Sequence, residues 1–160
     1  MASEAAPSNA QVIDLLGKIA DLLELEGAQF FRVRAYREAT DTIRGLDEPL
    51  AALVARGAKL TDLPGIGKEL AAKLTEFVTT GKLAYLDQLA EKTPLGLVSV
   101  LRVPGLGAKR VRLLYDSLGV TSLEELEEAA RNQKLRELPG LGAKIESDIL
   151  RRLERLRAPD

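Results

Sequence analysis

Leu63-Pro64-Gly65-Ile66-Gly67-Lys68, Val103-Pro104-Gly105-Leu106-Gly107-Ala108 and Leu138-Pro139-Gly140-Leu141-Gly142-Ala143 are near-copies of one another. Their first glycines lie 40 and 35 residues apart. A short apolar stretch precedes each copy, ending in Leu60 and Leu63, Val100 and Val103, and Leu135 and Leu138, and a helical pattern follows each. A segment repeated three times with its punctuation intact is a supersecondary unit. Proline stops the first helix, and glycine supplies backbone angles forbidden to other residues. The second glycine leaves no side chain over the start of the next helix. What remains exposed is a cluster of N–H groups at a helix N-terminus, with the positive end of the dipole behind them.

Such a corner accepts a phosphate oxygen. It touches backbone only and therefore holds DNA without reading sequence. A single Pro-Gly-x-Gly is as readily a tight corner between two helices. Three copies, each followed by a lysine (Lys68, Lys109, Lys144), favour phosphate binding. The candidate phosphate-binding residues are Gly65, Gly67 and Lys68; Gly105, Gly107, Lys109 and Arg110; and Gly140, Gly142 and Lys144. Arg112 extends the second set, and two or more of its three cations are expected to reach phosphates.

Outward from the repeats, apolar residues keep a helical period. Val12, Leu15, Leu16, Ile19, Leu22 and Leu23 recur at spacings of three and four, and Gly27 is placed to end that helix. A second helix is expected from about Ala35 to Arg44, and a short third one from Pro49 to Gly57. Others are expected near 68–80, 83–91, 94–101, 108–118, 122–131 and 143–157. Ser122 with Glu125 has the form of a capping box, and Thr93 before Pro94 is a second start signal. No stretch alternates strictly enough for a strand pair. The expected fold is all-α: a helical bundle with three hairpin motifs in two small subdomains, 9–92 and 93–157. Short disordered tails are expected at 1–8 and 158–160.

Composition narrows the chemistry. The 160 residues are 46% hydrophobic and 29% charged, a globular balance. With no cysteine and no histidine, thiol nucleophiles, zinc knuckles and histidine-based catalysis are excluded. The net charge of −1 conceals segregation: residues 93–120 carry 4 basic and 1 acidic side chains, so a local field matters more than the sum. No apolar run is long enough to span a membrane. The expected setting is cytoplasmic, in association with the nucleoid.

The repeated apolar-Pro-Gly-apolar-Gly pattern resembles the helix-hairpin-helix motif of DNA repair and replication proteins. Phe30-Phe31-Arg32-Val33-Arg34-Ala35-Tyr36-Arg37, Leu63–Lys73, Phe77–Leu83 and Val103–Leu114, in that order, resemble the amino-terminal part of bacterial family X, DNA polymerase beta-like enzymes. The resemblance implies a helical domain, 9–92, that grips a 5′-phosphate at a gap, with Arg32 and Tyr36 lining the pocket. It implies that 93–157 is a fingers-like subdomain holding gapped duplex. It further implies a monovalent cation (Na+ or K+) on the main-chain carbonyls of Thr61, Leu63 and Ile66, and of Leu101, Val103 and Leu106. Residues 93–157 hold a third hairpin that could do likewise.

The family's palm holds divalent ions with an Asp-x-Asp pair, and this sequence contains none. No divalent catalytic metal, and no polymerase step, is expected from this chain. It is read as the DNA-binding portion of a repair polymerase whose partners are gapped, nicked or 5′-phosphorylated DNA and the catalytic palm and nuclease domains. A monomer is expected. Junction-binding hairpin proteins are the alternative, and a protein–protein adaptor with inert corners is a further one.

The resemblance also implies that Lys73 is the Schiff-base nucleophile of a 5′-deoxyribose phosphate lyase. Such chemistry needs a neutral amine, whereas an ordinary lysine titrates near ~10.4. Glu69 stands four residues before Lys73, which predicts a helix ion pair. Glu69 and Tyr85 occupy positions where the beta-like enzymes carry phosphate-binding lysines. Lys68 is five helix steps from Lys73 and is expected to point well away from it. Phe30 and Phe31 are expected in the core. The Glu124–Glu128 run is expected to be a solvated face.

Overall fold

The structure, a computed structural model, describes residues 6–157; residues 1–5 of the tail expected at 1–8, and the whole tail expected at 158–160, lie outside the described residues. Among the described residues, nine α-helices and two short 3₁₀ turns form an all-helical fold with no strand. The chain divides into two compact units, one ending at Lys92 and the other starting at Thr93.

In the first unit α1 (Asn9–Glu26) is buried on most of its circumference, through Val12, Leu15, Leu16, Ile19, Leu22 and Leu23 among others. Its start is fixed by a reciprocal cap: the Ser8 hydroxyl accepts from the Gln11 amide, and the Gln11 side chain accepts from the Ser8 amide. The cap residue Ser8 thus falls within the expected tail. Helix α2 (Phe30–Arg44) packs along α1, followed by α3 (Leu50–Ala55) and α4 (Lys68–Thr80). Helix α5 (Ala84–Lys92) returns against α1. Val12, Leu16, Ile43, Leu50, Leu60, Ile66 and Leu74 form the shared core.

Helix α2 starts five residues before the expected Ala35. Nothing in Phe30–Arg34 forbids a helix, and the Arg32 and Val33 amides both reach the Gln29 carbonyl to close the first turn. That turn overhangs the core. Phe30 is 75% and Phe31 65% exposed, so the expected burial of the two phenylalanines is wrong. The buried residues of α2 are Ala39 and Ile43, in its second half.

The second unit contains α6 (Leu97–Leu101), α7 (Gly107–Leu118), α8 (Leu123–Arg131) and α9 (Ala143–Arg157). Its interior is built from Leu97, Val100, Val111, Leu114, Leu126, Leu135, Ile149 and Leu153. Helix α6 begins at Leu97 rather than Pro94, because the Pro94 carbonyl is taken up in a turn with the Leu97 amide. The Ser122 hydroxyl caps α8 through the Glu125 amide, but the reciprocal arm of the box is displaced: the Glu125 carboxylate accepts from the Thr121 amide and hydroxyl. Those bonds hold the Glu125 carboxyl below the usual carboxylate range. Within the Glu124–Glu128 run, Glu127 pairs with Arg131 at 2.6 Å.

Glu146, in the first turn of α9, is only 1% exposed. Its carboxylate accepts from the Arg136 amide at 3.2 Å, from Nε at 2.9 Å and from Nη2 at 2.7 Å. This clasp locks the third hairpin from beneath.

Candidate phosphate-binding site

The three repeats fold into one backbone plan. The Leu63, Val103 and Leu138 amides bond to the carbonyls of Leu60, Val100 and Leu135, at 3.0, 3.1 and 3.0 Å. Three residues on, the Ile66, Leu106 and Leu141 amides bond to the carbonyls of Leu63, Val103 and Leu138, at 3.2, 3.4 and 3.1 Å. Apolar residues on either side of each turn are buried (Leu60 and Ile66, Val100 and Leu106, Leu135 and Leu141), which anchors the hairpin and leaves its proline and glycines at the surface. The first glycine is left-handed in all three, with φ of +76° at Gly65, +90° at Gly105 and +79° at Gly140. The second glycines face open space: a Cβ at Gly67, Gly107 or Gly142 would meet nothing within 4 Å.

In the first unit these features surround a cavity of about 590 Å³. Its walls bring together Arg32 and Tyr36 from α2, Gly65, Gly67 and Lys68 from the hairpin, and Lys73 from α4. Phe31, Ala35, Glu69, Leu70 and Tyr85 complete it. Lys68 thus shares a cavity with Lys73 despite the helical-wheel separation between them. It is the first residue of α4, where a side chain leaves the helix end rather than its flank.

Tyr85, from α5, organises the cavity. Its hydroxyl accepts a hydrogen bond from Arg32 Nη2 at 2.8 Å. Its ring stacks on Tyr36, with centroids 6.3 Å apart and planes 16° from parallel. Lys73 Nζ lies over the same ring, 4.7 Å from its centroid, a contact made by an ammonium with an aromatic face. The expected Glu69–Lys73 ion pair does not form among the described residues; the Tyr85 ring captures the amine instead. Burial pushes the Tyr36 phenol up to about 12, with Tyr85 adding to the rise. Tyr36 therefore stays a neutral O–H donor near neutral pH. The sequence signal for Tyr85 was an aromatic at a position expected to carry a lysine.

The remaining α2 arginines face elsewhere. Arg34 pairs with Glu38 at 3.0 Å, and Arg37 bridges Asp21 at 2.7 Å and Glu24 at 3.3 Å. In the second unit Arg110 turns back to donate to the Gly105 carbonyl at 2.9 Å, and Arg112 Nε lies 3.4 Å from Asp116. Lys109 and Lys144 are exposed beside their hairpins. Among the described residues, no hydrogen bond or ion pair engages Lys109, in contrast to Arg110 and Arg112.

A family model described as a helix-hairpin-helix domain matches residues 7–83, and a SAM-like helix-hairpin-helix tandem matches residues 97–155. DNA polymerase/3'-5' exonuclease PolX of Bacillus subtilis (strain 168) is 38% identical over 142 residues, 89% of this chain. The chain is a helix-hairpin-helix region of the family X DNA polymerase type. This family X region is also similar to DNA polymerase lambda of Rattus norvegicus, 24% identical over 98% of the chain, and of Arabidopsis thaliana, 28% identical over 92%. It spans about a quarter of the length of these curated relatives: 24%, 26% and 26%. No helix among the described residues of the family X region is long and apolar enough to cross a membrane.

Proposed function

We propose that the chain binds DNA through its phosphate backbone and prefers gapped or nicked duplex bearing a 5′-phosphate. The observation that carries this reading is the first-unit cavity. There Arg32, Lys68 and Lys73 converge with the Gly65–Gly67 hairpin on the N-terminal end of α4. A terminal phosphate is a dianion that benefits from guanidinium, ammonium and helix-end amides together. The Tyr36 phenol supplies a neutral donor beside them. The hairpins of the second unit engage internal phosphates through exposed amides and lysines, and such contacts carry no sequence information.

Competition between gapped duplexes with and without the 5′-phosphate tests the proposal. The phosphorylated duplex is expected to compete several-fold better, and equal competition overturns the preference. With about four phosphates engaged, affinity falls roughly a hundredfold between 50 and 200 mM salt.

We further propose that the carbonyls of Thr61, Leu63 and Ile66 take up a monovalent cation. The Leu63 oxygen accepts from a neutral amide, and among the described residues the side chain donating to the turn is the neutral Thr42 hydroxyl, on Pro64 at 2.7 Å. A cation bound there would add positive charge beneath the phosphate site.

A second reading has support in the position of Lys73. It stands in the phosphate cavity, free of Glu69, so an incised abasic sugar whose 5′-phosphate is held there would bring its aldehyde towards Nζ. On this reading the chain is also a 5′-deoxyribose phosphate lyase.

A further inference from the structure

The three hairpins share a backbone plan but differ in what covers the turn. At the first, the Pro64 carbonyl accepts from the Thr42 hydroxyl at 2.7 Å. At the second, the equivalent Pro104 carbonyl accepts from Arg152 Nη1 at 2.6 Å, and the Gly105 carbonyl accepts from Arg110 Nη1 at 2.9 Å. At the third, no side chain among the described residues donates to the Pro139 or Gly140 carbonyl. A neutral hydroxyl, two guanidinium groups and open solvent therefore occupy the same place in three near-identical turns. The residues equivalent to Arg110 are Leu70 and Ile145, so the difference is written in the helices and not in the repeated motif.

Arg152 comes from α9 and reaches over Gly105, where a Cβ would collide with its guanidinium. By contrast, the nearest atom to a Cβ at Gly65 would be Thr42 Oγ1 at 4.0 Å, and at Gly140 there would be none. The backbone differs as well. Gly67 is extended, with φ −89° and ψ −177°, whereas Gly107 is left-handed at φ +78° after a Leu106 at φ −82° and ψ −62°. The peptide group joining Leu106 to Gly107 is thus turned about the glycine relative to its counterpart in the first hairpin. That group carries one of the three carbonyls expected to hold a monovalent cation.

We infer that the second hairpin carries its positive charge covalently, as Arg110 and Arg152, and does not take up the monovalent cation expected at the Leu101, Val103 and Leu106 carbonyls. A guanidinium is permanently charged and directs several N–H donors from one plane. Two of them within one turn repel a further cation and, by tying down the Pro104 and Gly105 carbonyls, keep the Leu106 peptide turned out of the donor set, so that removing both restores it. Their remaining N–H groups supply to an arriving phosphate the attraction that a bound ion would have given. Arg152 thereby becomes a positioning residue for the second hairpin. This consequence rests on the DNA-binding reading, whereas the cation behaviour does not.

The experiment is a ¹⁵N NMR titration of the full chain without DNA, in which K+ replaces tetramethylammonium at constant ionic strength. In the unmodified protein the Leu106 and Gly107 amides are expected to show no saturable shift. In the R110Q/R152Q variant they are expected to acquire one. A saturable K+ response at Leu106 and Gly107 of the unmodified protein overturns the inference. So does a natively dispersed R110Q/R152Q spectrum that gains no response. Should the double variant not fold, Arg152→Gln alone is read by the same criterion. Gapped duplex added afterwards reports DNA binding separately, so failure of that reading is seen as unmoved glycine resonances whatever the cation result.

Discussion

Arg32 and Tyr85, 53 residues apart, are joined by a 2.8 Å hydrogen bond from guanidinium to phenol oxygen, so one aromatic side chain aims the arginine and supplies the face on which Lys73 rests. Tyr85→Phe keeps the ring and removes the acceptor. A hydrogen bond to a charged group at an exposed site contributes on the order of 1 kcal/mol. The variant is expected to lose about fivefold of the preference for 5′-phosphorylated gaps, measured by competition, with its melting temperature lowered by no more than about 8 °C.

Lys73 tests the lyase reading directly. Borohydride reduction on incised abasic DNA is expected to trap a covalent adduct with the unmodified protein and none with Lys73→Ala. An adduct undiminished in Lys73→Ala, or no adduct at all, ends that reading without touching phosphate binding. Tyr85→Phe retains the aromatic contact and is expected to trap.

The two glycines of the first hairpin separate folding from binding. Gly65 sits at φ +76°, so Gly65→Ala costs about 1 kcal/mol of stability, as a left-handed residue with a Cβ does. Gly67 is extended and open, with nothing near a new Cβ. Gly67→Ala is expected to leave the denaturation midpoint nearly unchanged while weakening DNA binding several-fold, because the methyl group stands where phosphate approaches.

Much of this was readable in advance, and the reason differs by element. Proline and glycine dictate backbone angles locally, so the three turns and most helix ends follow from residue identity alone. Burial is a property of the assembled fold, and there the reading of Phe30 and Phe31 failed: an apolar residue in the overhanging first turn of α2 has no core to enter. The cavity's residue types were visible as Arg32, Tyr36, Gly65, Gly67, Lys68 and Lys73, but not the partner of Lys73. A spacing of four on α4 suggested Glu69, whereas Tyr85 arrives from another helix that no local rule on α4 could supply. The arginine covering of the second hairpin was hidden likewise, since Arg152 lies 48 residues from Pro104.

Tyr36 gives a pH signature. Its phenol is raised from 10.0 to about 12 in the folded protein. A group bound more tightly to its proton when folded contributes stability that is present below pH ~10 and is lost as the pH rises through 12. Ultraviolet difference titration is expected to show a transition near 12 that is absent in Tyr36→Phe. Alkaline unfolding of the unmodified protein is expected to set in across the same window.

The Glu146 clasp sets the stability of the second unit. Arg136→Ala leaves a carboxylate that is 1% exposed with only a backbone amide for company. Breaking a buried pair from one side costs about 3 kcal/mol, discounted here because Arg136 itself is partly exposed. Denaturant titration of Arg136→Ala is expected to show a loss of about 2 kcal/mol. Loss within error would mean the clasp is ornamental.

A borrowed covering has a consequence for anyone transplanting these turns. The six-residue segment from Leu63 or from Val103 would carry its bend into a new host scaffold intact, since proline and glycine bring that with them. Its electrical character would stay behind, because Thr42 and Arg152 belong to helices outside the excised piece. Two grafts nearly identical in spelling would then behave alike, and only by moving the distant helix as well would the difference between them be recovered.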